Sequence, residues 1–146
     1  MRILNVIKVG LVACGLGLGA MAVSGCATAP KIPQAAMPEG ESFSGLWYTN
    51  AFGDMKLTQR SDGTVTGGYD SPKNSIIEGT VEGGVMKFSW YQPGDFQVAR
   101  REVSGHAYLV LFMGEEGPEV KGEWGYGENY TGGGEWTGRK ALEIYR

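Results

Sequence analysis

The chain has 146 residues, of which 42% are apolar and 20% charged, with a formal charge of −3 and two cysteines. The acidic balance excludes the basic footprint of a nucleic-acid binder, and so few cysteines exclude a disulfide-stapled scaffold. The length allows one domain with flanking segments.

At the N-terminus, Arg2 and Lys8 precede an uncharged apolar run, 9–23, rich in Leu, Val, Ala and Gly. That is the layout of a secretory signal, and the run is shorter than the roughly 20 residues a permanent bilayer-spanning helix requires. Small residues follow, and the four positions Val23-Ser24-Gly25-Cys26 resemble the lipobox of bacterial lipoproteins. The resemblance implies cleavage between Gly25 and Cys26, with a diacylglycerol and an amide-linked acyl chain such as palmitate on Cys26. Each buried methylene adds about 0.8 kcal/mol and two chains already anchor stably, so three would hold the protein at the membrane. Position 27 is Ala and not Asp, which in lipoproteins of two-membrane bacteria implies transfer to the outer membrane. In a host with one membrane, the expected place is the outer face of the cytoplasmic membrane.

Cleavage would remove Cys14 and lipidation would consume Cys26, leaving no thiol for a disulfide, a metal or a nucleophile. All 16 acidic residues but only 11 of the 13 basic ones lie beyond Cys26, so the mature charge would be −5. The stretch 26–42 contains Pro30, Pro33 and Pro38 and has no period of two or 3.6. It reads as the lipidated cysteine followed by a disordered tether, extended at roughly 3 Å per residue. The expected division is therefore a signal peptide at 1–25, a tether at 26–42 and a domain at 43–146.

The domain has no helical period of useful length. Short alternating runs recur about every ten residues between turn signals, the mark of an all-β barrel or sandwich. Strands are expected at 45–50, 55–58 and 64–69, the last two joined by Asp62-Gly63, whose residues tolerate the positive φ of a tight turn. A strand at 75–82 turns at Gly83-Gly84 into 85–92, where Met86, Phe88 and Trp90 share a face, and Pro93-Gly94-Asp95 closes that hairpin. Next, 96–102 reads as a strand, and 106–113 is apolar on both faces, as if covered on each side. In 119–127, Val120, Gly122, Trp124 and Tyr126 oppose Glu119, Lys121 and Glu123, and a last strand holds Trp136, Gly138, Leu142 and Ile144 in phase. A repeat of the form Val-x-Gly-x-large starts at Val65, Val81 and Val120, and suits an interior filled by alternating small and large residues. The expected fold is a single antiparallel meander closing into a small barrel of about eight strands, which removes exposed edges.

The residues Gly45-Leu46-Trp47-Tyr48, Asn50, Asp62-Gly63, Thr66-Gly67, Tyr69 and Ser71 resemble, in order, the first three strands of the avidin family of small barrels. The likeness covers about a quarter of the domain. It implies a biotin-contact role for Tyr69 and Ser71, whereas Thr49 stands where the family has its contact asparagine. The ending, 122–127 and 133–139, is similar to glycine-tryptophan meanders of bacterial envelope proteins.

No catalytic residue, metal ligand set or cofactor motif emerges. His106 is the only histidine and begins an apolar strand, and no serine stands in a nucleophile setting. Glu115, Glu116, Glu119, Glu123 and Glu128 cluster in sequence, but Glu119 and Glu123 alternate outward as solvated residues do. They lack both the facing pair of a glycosidase and the spacing of a calcium loop. Candidate binding residues are Trp90, Tyr91, Trp124, Tyr126 and Tyr130, in or beside glycine-rich loops at 91–95 and 128–134. The expected activity is binding: an anchored module that presents barrel-end loops to an envelope protein. The alternative is a carrier of a small ligand or sugar, with a hydrolase a more distant reading.

Overall fold

The computed structural model describes residues 31–142. The expected signal peptide, the cleavage and lipidation site at Gly25 and Cys26, and Ile144 of the last strand lie outside the described residues.

Eight antiparallel strands make a closed barrel in sequence order. They are β1 (Gly45–Thr49), β2 (Asp54–Gln59), β3 (Thr64–Tyr69), β4 (Ile76–Glu82), β5 (Val85–Gln92), β6 (Val103–Gly114), β7 (Gly117–Tyr126) and β8 (Gly134–Lys140). β8 returns to β1 with Trp47 opposite Lys140, so no strand keeps an open edge along its full length. Alternation decides which side chains enter: Met55 and Leu57 from β2, Met86, Phe88 and Trp90 from β5, and Leu109 and Leu111 from β6 are all buried. Trp47 and Trp136 are fully enclosed. The interior is thus a packed core and not a channel.

In an up-and-down barrel, alternate turns share an end. The turns at 60–63, 83–84 and 115–116 lie with the chain entry at the base. There Phe43 is fully buried as a plug, its carbonyl accepting from Trp47 Nε1 at 2.9 Å. The connections 50–53, 70–75, 93–102 and 127–133 gather at the opposite end, the mouth.

Three expectations are corrected. The stretch 96–102 is not a strand: it forms a single 3₁₀ turn, Phe96–Val98, and one isolated bridge between Asp95 and Arg100. Asp95 caps the turn by accepting from the Gln97 N–H, and Ala99 takes a left-handed φ of 51°, which breaks an extended run. Secondly, the part of the expected tether that is described, 31–42, packs on the base and belongs with the barrel. Gly84 N–H donates to Ala35 O at 2.8 Å, Met37 reaches the core, and Lys140 Nζ donates to Glu41 Oε2 at 3.1 Å and to Ser42 O at 3.0 Å. Main-chain contacts of this kind leave no hydrophobic period to read. Thirdly, β8 ends at Lys140, and Leu142 is exposed and not in the core.

The two-sided apolarity of 106–113 has a local explanation. Gly105, Ala107, Leu109 and Leu111 of β6 face inward, while Tyr108, Val110 and Phe112 face an outer groove that Pro33 helps to line. Of the repeated glycines, Gly67 and Gly122 lie within strands, but Gly83 occupies the β4–β5 turn at φ 59°. The room a missing side chain leaves beside Gly67 is taken by Leu57 and backbone, not by a ring; rings lie instead against Gly105 and Gly133, which press on Trp90 and Trp124.

Candidate binding site at the barrel mouth

The mouth is built from four connections around a set of rings. In 50–53, Thr49 Oγ1 donates to Gly53 O at 2.5 Å and accepts from Phe52 N at 3.4 Å, a local clasp that turns Phe52 inward. Its ring lies 4.5 Å from Trp136, 5.3 Å from Tyr69 and 5.4 Å from Trp124, centroid to centroid. Phe52 is therefore the stopper of the core. Ser71 N–H donates to Phe52 O at 3.1 Å, so the 70–75 connection holds the stopper in place.

On the other side, Trp90, Trp124 and Tyr126 meet edge to face, with centroids 5.2 to 5.8 Å apart. These are favourable geometries for aromatic pairs. Trp90 is buried and donates from Nε1 to His106 O at 3.2 Å, Trp124 is half-buried, and Tyr126 is 57% exposed. The 127–133 connection folds back on this cluster: Gly133 N–H donates to Trp124 O at 2.8 Å, and a Cβ at Gly133 would fall within the Trp124 ring. Tyr91 and Tyr130 lie on the outer wall. Tyr91 donates to Glu102 Oε2 at 3.1 Å, and this carboxylate raises the Tyr91 phenol above its ordinary value. Tyr130 packs against the His106 ring at 5.1 Å, and His106 Nδ1 lies 2.5 Å from Gly127 O, so both rings brace the loop.

Of the five candidate residues, Trp90, Trp124 and Tyr126 converge at the mouth, while Tyr91 and Tyr130 flank it from outside. The connections 93–102 and 127–133 share this end because two strands, β6 and β7, lie between them. The residues singled out by the avidin resemblance are differently engaged. The Tyr69 hydroxyl is buried and accepts from Gln92 Nε2 at 2.9 Å, with burial raising its phenol value, and Phe52 packs over its ring. Ser71 is exposed in its loop, and Thr49 is spent on Gly53. The clustered glutamates separate: Glu115 and Glu116 sit at the base, Glu119 and Glu123 on the wall and Glu128 at the mouth. Among the described residues, no three His, Cys, Asp or Glu side chains are grouped as metal ligands.

The sequence reading missed the most prominent feature of this end. Phe96 is 103% exposed and Val98 66%, on a turn braced by paired Asp95–Arg100 backbone bonds of 2.7 and 2.9 Å. A 3.9 Å ion pair between the same residues adds to the brace. The only available signal was Asp95 two residues before Gln97, a turn-capping position hidden by the alternation of Phe96 and Val98.

No protein-family model, no curated protein and no solved structure matches the chain.

Proposed function

We propose that the protein is an envelope lipoprotein, anchored through Cys26 at the outer membrane, whose barrel mouth binds a protein partner as an adaptor or assembly accessory. One observation carries this reading: exposed apolar side chains collect at the mouth. Of the ten exposed large apolar side chains among the described residues, Phe96, Val98, Val103 and Tyr126 stand there, and Ile76 and Tyr91 flank it on the wall. Burying a side chain such as Phe stabilises a fold by about 1.5–3 kcal/mol, and the fully exposed Phe96 forgoes that gain. A braced turn that holds it outward has its use in a contact made outside the chain. The packed interior supports surface binding over carriage of a ligand inside the barrel.

The test is a photo-crosslinking amino acid at Phe96 or Tyr126 in intact cells, with Arg60 at the base as control. A discrete protein adduct from both mouth positions and none from position 60 is the expected result. Adducts confined to sugar, or none from either mouth position, would overturn the reading. Anchoring is tested separately: Cys26→Ser should move the protein from the membrane to the soluble fraction.

A further inference from the structure

The outer wall of β6, β7 and β8 carries a groove of about 500 Å³. Its apolar lining is Pro33, Tyr108, Val110 and Phe112, and its rim carries Glu123 and Glu135. Tyr108 forms the floor and donates to Glu123 Oε2 at 3.0 Å. Lys121 lies 3.8 Å from Glu135, so two carboxylates face one cation and the rim keeps a net negative charge.

The tip at the mouth is its complement. Phe96 and Val98 are the apolar projections, and Arg101 beside them is exposed and forms no ion pair among the described residues. We propose that the Phe96 tip of one copy docks into the β6–β7–β8 groove of a second copy, with Arg101 meeting Glu123 and Glu135. This rests on reading the mouth as a contact surface and names one occupant for it. A copy does not serve its own groove: the tip precedes β6 at the mouth, and the apolar lining from Tyr108 to Phe112 lies five to nine residues farther along that strand than Val103, roughly 17 to 30 Å at the rise of an extended chain and out of reach of a turn braced at Asp95 and Arg100. The contact joins unlike surfaces: reciprocated about a two-fold axis it closes a dimer, and unreciprocated it builds open chains or rings. A bilayer is the weaker occupant, because an acidic chain is repelled by anionic lipid and a fluid surface gains little from a rigidly braced turn.

Sedimentation of the purified full chain across a concentration series tests the proposal. Mass should rise above that of the monomer with concentration. Phe96→Ser and Arg101→Glu should each weaken association by about tenfold or more. Glu135→Lys placed in the Arg101→Glu chain should recover most of the loss, with unchanged circular dichroism showing that each variant is folded. A monomer at every concentration, or a folded Phe96→Ser variant that associates as the unaltered chain does, overturns self-docking. A position-96 crosslink to another protein would in that case leave the mouth reading standing, whereas failure of both removes it.

Discussion

Two tryptophans show how unequal identical residues become once they are placed. Trp47 and Trp136 are both fully buried, but Trp47 Nε1 donates to Phe43 O at 2.9 Å and Lys140 Nζ lies 5.4 Å from its ring centroid. Trp136 Nε1 has no acceptor within the described residues, and its ring packs edge to face against Tyr69 and Phe88. An unmade buried hydrogen bond costs about 1–3 kcal/mol, so Trp136 already carries a cost that Trp47 does not. Trp47→Phe should therefore destabilise more than Trp136→Phe, by about 1–2 kcal/mol in urea unfolding, although both remove the same volume. Equal losses would show that volume alone governs these sites.

At the scale of elements, the closing seam between β8 and β1 is short, pairing only Trp47, Tyr48 and Thr49 with Lys140, Arg139 and Gly138. Asn50 extends it with a side chain that imitates backbone. Its Oδ1 accepts from Thr137 N at 3.0 Å and its Nδ2 donates to Glu135 O at 3.4 Å, while its own N–H donates to Thr137 O at 3.0 Å. Asn50→Ala should cost about 1 kcal/mol and speed hydrogen exchange at Thr137 and Arg139 before the rest of the barrel. Asn50→Asp keeps the acceptor but loses the donor, and should fall between the two. The strap at 31–42 is the other non-repetitive contact, and Gly83 and Gly84 make room for it because a Cβ at either would collide with the Ala35 and Ala36 carbonyls.

For the whole molecule, stability should fall on the alkaline side. Burial raises the phenol of Tyr69, and burial together with the neighbouring Glu123 carboxylate raises that of Tyr108. The folded state thus holds these protons more tightly than the unfolded chain does. Their contribution is complete below about pH 10, the unfolded phenol value, and is lost as pH climbs through the raised folded values. Thermal midpoints should decline as the pH climbs above about 10, and Tyr69→Phe should flatten part of that decline.

Much of this was legible in the chain itself. Alternation of the kind seen in Met86, Phe88 and Trp90 needs only the two-residue period of a strand, and Asp62-Gly63 needs only permissive φ angles, so local chemistry determined an all-β meander and most strand limits. Strand 96–102 failed because its alternation is two apolar residues long, and a cap from Asp95 outweighed it. That single misreading would have placed three strands between the 91–95 and 128–134 loops, and hence the loops at opposite ends. With two strands between them they share the mouth. Strand parity, the plugging of the core by Phe52 and Phe43, and the meeting of Trp90, Trp124 and Tyr126 depend on residues tens of positions apart in the chain, and such contacts exist only once the barrel has closed.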